Sequence, residues 1–338
     1  MVSLNLNSVY RMQESPPLCC AGMTSVALSS AEYRTITEAC GLLDRSERGK
    51  LVLTGADAKS FLQGQVTNDV ESLSPGTGCY AAFLTPKGKM LGDMRILDAG
   101  DELLLDTERV ALQDLFNMIR RFSIGYDVQL HKRTLERGLL SLVGPESVRL
   151  AGADQLARSL EHAHVLVQVG GVEARAIRTD VGIDLLCDST VTAQLRAGLQ
   201  EAGAVAVSEA SAECLRVELG RPRYGVDLDD TVIPQEAALN ERAVSFTKGC
   251  YVGQETVARL YYRGKPNRHL RGLRLAGAAE TGEPVRFGER EVARLGSVTQ
   301  SPRFAWIALA LVRREAPPGS RVVVGEGVEA EVVDLPFA

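Results

Sequence analysis

Apolar positions along this chain follow a helical spacing first and a strand spacing soon after. Ser29 or Ser30 can cap a helix running to about Leu43, with apolar residues at 36, 39, 42 and 43. Lys50-Leu-Val-Leu-Thr54 reads as a strand, and Gly55 turns it into a second helix through Leu62. A meander is expected next. Cys79 to Thr85 is one strand, Pro86-Lys87-Gly88 the turn, Lys89 to Leu97 the return strand, and Ala99-Gly100 a further turn. Arg109 to Phe122 is amphipathic, with Val110, Leu112, Leu115, Phe116, Met118 and Ile119 crowded on one side.

The order strand–Gly–helix recurs at Leu140-Ser-Leu-Val-Gly144, followed by Pro145 to Leu150. Gly144 lies 89 residues after Gly55, which suggests two related α+β halves; chance recurrence of a common unit is the alternative. From residue 267 the helical periodicity stops. Short strands at about 270–276, 291–299, 304–313 and 321–333, separated by Gly and Pro, suggest a small barrel or sandwich. The boundary falls near Pro266-Asn267, and residues 1–24 read as a flexible tail in which Met23 is a second candidate start.

Composition narrows the class. The 338 residues are 45% hydrophobic and 24% charged, which fits a globular chain of two to three domains. The longest apolar run, Phe304 to Val312, is far short of the ~20 residues a membrane helix needs. A net charge of −5 argues against coating nucleic acid through global charge. Seven cysteines, with no C-x-x-C, match no zinc or disulfide framework, and a reducing cytoplasm is the natural setting. No local motif defines a metal or nucleotide site. Asp227-x-Asp229 lacks the calcium-loop glutamate, Ala238 standing in its place, and His162 with His164 reads as two neighbouring surface histidines.

Three segments carry candidate chemistry. In Thr247-Lys-Gly-Cys-Tyr-Val-Gly-Gln-Glu255, Cys250 lies beside Lys248 in a Gly-bracketed turn leading into a helix, a setting for a stabilised thiolate or for a small buried cysteine. In Arg216-Val-Glu-Leu-Gly-Arg-Pro-Arg-Tyr-Gly-Val-Asp227, Glu218 can pair with a flat heterocycle or with a neighbouring arginine. Between Glu255 and Glu280 stand Arg259, Arg263, Lys265, Arg268, Arg271 and Arg274 with no acid, interleaved with Tyr261 and Tyr262. That run is either an anion site or a solvated edge.

Lys248-Gly249-Cys250-Tyr251-Val-Gly253-Gln254-Glu255 with Arg259 resembles the K-G-C-[FY]-x-G-Q-E-x-x-x-R signature of YgfZ-type folate-binding proteins. These are relatives of the glycine-cleavage T-protein, an aminomethyltransferase. Gln65-Val-Thr-Asn-Asp69, Lys87-Gly-Lys89, Arg216–Asp227 and Ile233-Pro-Gln-Glu236 match as well, in the same order. The resemblance covers about residues 27–338. It implies an α+β fold of two intertwined domains around a central opening over 25–266, with a C-terminal β-barrel over 267–338. It also implies tetrahydrofolate, or a folate derivative, bound in the opening. Glu218 and Tyr80 would face the pterin, and Arg259, Arg263 and Lys265 would suit the glutamyl tail.

The T-protein pattern N-x-x-G-G-x-x-D-D is reduced here to Gly92-Asp93, and this departure argues against aminomethyl transfer. The resemblance therefore favours an accessory role in assembly or repair of iron–sulfur clusters, with Cys250 as the working thiol. Its clients would be iron–sulfur proteins or assembly factors, tRNA-modifying enzymes among them, so that any link to tRNA is indirect. A one-carbon transferase using Asp93 and a direct tRNA-binding protein are the alternatives.

Overall fold

The computed structural model describes residues 29–338, so the tail expected over 1–24 lies outside the described residues. Helix α1 (Ser30–Glu38) precedes strands β1 (Gly41–Asp44) and β2 (Gly49–Thr54) and helix α2 (Ala58–Gln63). A meander of β3 (Gly78–Leu84), β4 (Met90–Asp98) and β5 (Leu103–Thr107) then leads to α3 (Leu112–Phe122) and β6 (Gln129–Lys132). Strands β2 to β6 make one sheet in the order β3-β4-β5-β2-β6. Its core gathers Leu53, Phe61, Phe83, Leu105 and Leu115 beneath the two helices.

The chain then repeats itself. Strand β7 (Arg137–Val143) and helix α4 (Ser147–Leu150) are followed by a second meander, β8 (His164–Val169), β9 (Val172–Arg178) and β10 (Gly182–Asp188). Helix α5 (Thr192–Glu201) and β11 (Val205–Ala206) complete the half. The second sheet runs β11-β1-β7-β10-β9-β8, which reproduces the order of the first except that β1 is inserted between β7 and β11. Gly55 and Gly144 hold the equivalent strand–helix turns, at φ 109° and 127°. A Cβ would stand 2.2 Å from the Asp127 carbonyl oxygen at the first and 2.5 Å from that of Ala39 at the second, so only glycine fits either turn.

Residues 41–44 correct the helix expected to reach Leu43. Gly41–Asp44 leave the helix to pair antiparallel with β7, and Gly41 and Leu42 also pair parallel with β11. Leu42 and Leu43 thus bury on opposite sides of a sheet. Their helical spacing arises from two adjoining elements, and it is β1, reached from the first half, that interlocks the halves.

After α6 (Glu209–Glu218), α7 (Asn240–Ala243) and α8 (Gln254–Arg263), the remaining chain closes a six-stranded barrel. Its strands are β12 (Arg268–Leu275), β13 (Pro284–Phe287), β14 (Arg290–Ser301), β15 (Ala305–Arg313), β16 (Arg321–Val324) and β17 (Val328–Val333). The single strand expected over 321–333 is divided by a turn containing Gly325 and Gly327, and β13 was not foreseen. Among the described residues, no helix is long and apolar enough to cross a membrane.

Candidate functional site

Successive residues of a strand face opposite ways, and β4 turns this into chemistry. Gly92 faces helix α3, where an added Cβ would lie 3.0 Å from Leu115 Cδ1 and 3.1 Å from Ala111 Cβ. Asp93 faces the other side, into a cavity of about 240 Å³ lined by both sheets and by α6. Tyr80 on β3, two pairs away in the ladder and so on the same face, donates its phenol to Asp93 Oδ2 at 2.7 Å. Burial pushes the Asp93 carboxyl up to about 6, against the lowering effect of that hydrogen bond. Burial and the facing Asp93 also raise the Tyr80 phenol well above its ordinary value. The pair is therefore a carboxylate poised near neutrality held by a phenol that stays protonated.

Behind the pair an ion network ties the sheets together. Arg95, opposite Asp106 in the β4–β5 ladder, reaches Asp106 at 2.8 Å and Asp184 of β10 at 2.7 Å. Arg48 binds Asp106 at 2.9 Å, and Ser141 donates to Asp184 at 2.6 Å. Burial alone would raise the Asp106 carboxyl, but Arg48 and Arg95 overcome it and hold the group below its ordinary value. Arg242 lies 5.6 Å from the Tyr80 ring centre, leaving the aromatic face flanked by a cation. His162 lines the same cavity in a left-handed backbone conformation, φ 71°, and its buried Nδ1 has no hydrogen-bond partner. Burial, then Arg95 and Arg242, pull its imidazole down to about 3, so it is neutral. His164 is buried too, with Nδ1 3.0 Å from Arg175. The surface reading of both histidines is thus corrected: a left-handed turn and a sheet interior hide side chains that local polarity suggested were exposed.

Glu218 does not line this cavity. Helix α6 presents Ala212, Leu215 and Arg216 to it, and its C-cap Leu219 follows, while Glu218, 2% exposed, points toward α1 and the barrel. There its carboxylate accepts from the Tyr33 phenol at 2.7 and 3.0 Å and from the Ser301 hydroxyl at 2.5 Å, with the Cys214 thiol at 3.6 Å. Glu218, expected at a pterin edge, is placed here among Tyr33 and Ser301. Nor do Arg259, Arg263 and Lys265 line the cavity; they stand on α8 and just after it.

The cysteine segment is mostly scaffold. Lys248 is buried, and its ammonium donates to the carbonyls of Gln63, Val66 and Asn68 at 2.7, 2.8 and 2.7 Å. It is spent on the loop after α2, so the expected Lys248 assistance to the Cys250 thiol is also corrected. Tyr251 is buried with Leu84, Met90 and Val257. Gly253, at φ 84°, packs on the β3–β4 hairpin, where a Cβ would come within 2.6 Å of the Thr85 carbonyl oxygen. Gly249 has open space around it, Gln254 opens α8, and Glu255 is exposed. Among the described cysteines Cys250 alone is held out to solvent; Cys40, Cys187 and Cys214 are buried and Cys79 half-buried.

The GCVT N-terminal domain family model matches residues 11–248. An aminomethyltransferase of Rubrobacter xylanophilus is 30% identical over 318 residues, spanning 91% of this chain and 85% of that protein. One of Geobacillus kaustophilus is 30% identical over 327 residues, spanning 90% and 89%. The crystal structure of glycine cleavage system aminomethyltransferase T from Bartonella henselae superposes with a TM-score of 0.81 at 21% identity, covering 91% of this chain and 89% of that one. The mixed α+β architecture with its C-terminal barrel is thus the T-protein fold.

Proposed function

This chain belongs to the GCVT N-terminal domain family, and from that premise we propose that it binds tetrahydrofolate, or a folate derivative, in the central cavity. The observation that carries this reading is the Tyr80–Asp93 pair inside that cavity. The pyrimidine ring of a tetrahydropterin is flat, and the bicycle is rich in N–H donors. Asp93 can accept from such donors, the Tyr80 ring offers a face, and the unpartnered His162 Nδ1 can accept or donate beside them according to its tautomer. The residues present fit the group. Calorimetric titration with tetrahydrofolate on the wild type and on Asp93→Asn is the test: binding lost or much weakened in the variant supports the site, and equal affinity removes Asp93 from it.

The accessory role in iron–sulfur assembly or repair rests on Cys250 and on the resemblance of its segment to the YgfZ-type signature. Lys248, Tyr251 and Gly253 brace the turn from three directions, and the residue they leave in solvent is a thiol. A single thiolate supplies at most one of the usual four cluster ligands, so Cys250 would act by transient contact or exchange.

A second reading, one-carbon transfer, is favoured by one feature of β4. The acid missing at position 92 would point into α3 rather than into the cavity, so its loss removes no cavity carboxylate. Formation of methylenetetrahydrofolate from an aminomethyl donor, abolished in Asp93→Asn, would establish that reading over the accessory role.

A further inference from the structure

We propose that the outer face of helix α8 binds single-stranded nucleic acid, at a site separate from the central cavity. The six-charge run beginning at Arg259 is divided by the fold. Arg268 pairs with the buried Glu236 at 2.9 Å, and Arg271 with Asp334 at 2.8 Å. Arg274 reaches the carbonyl oxygen of Ala338 and lies 5.6 Å from the Phe304 ring centre. Arg259, Arg263 and Lys265 are all exposed, and among the described residues none has an ion-pair partner. Half of the run is structural, and half is uncommitted.

The uncommitted half comes with an aromatic platform. Phe246 stacks on Tyr261 at 3.7 Å and 17°, which fixes that ring, and Tyr262 stands edge-on to Tyr261 at 5.0 Å. Even with these ring contacts Tyr261 is 51% and Tyr262 67% exposed. Residue 259 stands three and four positions before 262 and 263, so by helical spacing Arg259 neighbours both Tyr262 and Arg263 on the outer face. Glu255 is the one acid within α8. Positive charge tracking a backbone and aromatic faces offered to bases are the two parts of sequence-tolerant single-strand recognition. An acidic protein would answer the charges but would leave the tyrosine faces without a matching partner.

Anisotropy titration of a fluorescein-labelled oligouridylate across a salt series tests the site. Three neutralised phosphates give a log–log salt slope of about −2 for a single strand. Replacing Arg259, Arg263 and Lys265 together with Gln should take the slope close to zero, and Tyr262→Ala should weaken binding by about ten-fold with the slope unchanged. These residues lie outside the cavity, so tetrahydrofolate affinity and the unfolding transition should stay at wild-type values. Failure of folate binding would leave this surface standing, and the reverse also holds. No binding of oligouridylate, or binding indifferent to the triple variant, overturns the proposal. So does equal competition by an oligoglutamate peptide together with indifference to Tyr262→Ala, which would assign the face to an acidic protein.

Discussion

Glu218→Ala separates a structural carboxylate from a ligand-binding one. In the fold, Glu218 joins three elements: Tyr33 of α1, its own helix α6, and Ser301 at the end of β14. Removing the carboxylate strands the Tyr33 phenol and the Ser301 hydroxyl, both buried, without their acceptor. A buried donor left unsatisfied costs about 1–3 kcal/mol, so the two together make a loss on the order of 2–6 kcal/mol. Against a total stability of about 5–15 kcal/mol, this is enough to shift a urea midpoint clearly and still leave a folded population. Glu218→Gln keeps an acceptor oxygen of the same reach and should lose well under half as much. Urea unfolding followed by circular dichroism gives the stability, and calorimetry with tetrahydrofolate gives the affinity on the same preparations. The expected outcome is a large stability loss with unchanged folate affinity wherever the variant is folded. A Glu218→Ala protein with wild-type stability and ten-fold weaker folate binding would refute the placement and return Glu218 to the pterin site.

Three further outcomes are expected. Folate affinity should fall as pH drops through about 6, where Asp93 takes up its proton, and Asp93→Asn should flatten that profile; an unchanged profile in the variant would exclude Asp93 as the titrating group. Because the folded value lies above the ordinary 3.8, ionised Asp93 disfavours the folded state above pH 6 and the penalty fades as pH falls toward 4. Asp93→Asn should therefore raise stability at pH 7 by up to about 3 kcal/mol while weakening the ligand, as thermal unfolding would reveal. Cys250→Ser should keep fold and folate affinity and lose support of iron–sulfur enzymes in cells, and Cys250 should be the first described cysteine to react with iodoacetamide, since burial pushes Cys40, Cys79 and Cys214 up to about 12; normal maturation of those enzymes in the serine strain would end the thiol role.

Much of the architecture was legible because it rests on local periodicity. The strand–Gly–helix units stand out since Gly55 and Gly144 each carry a turn that no side chain permits. The barrel shows itself as short alternating strands between glycines. What stayed hidden was long-range. Sequence spacing places Lys248 two residues from Cys250, but the three carbonyls that hold its ammonium come from residues 63–68. Likewise, nothing in Arg216-Val-Glu218 says which side of α6 meets the cavity. That follows from Tyr33 and Ser301, distant in the chain, claiming the glutamate. His162 escapes notice as a site residue because two neighbouring histidines with no third ligand nearby read as surface. The one local signal, a position ready for a left-handed turn, is too weak to find it.

The acidic pair makes the same point where it matters most for function. Read as a string, Gly92-Asp93 is half of a two-carboxylate motif and suggests half of an activity. Read as a strand, its two positions face opposite sides of the sheet, Gly92 toward α3 and Asp93 toward the cavity. Position 92 abuts Ala111 and Leu115, within 3.2 Å of any added Cβ. Gly92→Asp would thus drive a carboxylate into the α3 interface at φ 157° and cannot restore anything in the cavity. The expected result is a stability loss on the order of 1–3 kcal/mol from overpacking and burial of a charge, with no gain in one-carbon transfer. A Gly92→Asp protein that is as stable as wild type and acquires transfer activity would mean that the strand turns over to present residue 92, and the division of labour assigned to β4 would fall. If the activity is absent in wild type and variant alike, the reason must be sought in what surrounds Asp93. There the Tyr80 phenol already occupies one carboxylate oxygen at 2.7 Å, leaving the other to meet the ligand.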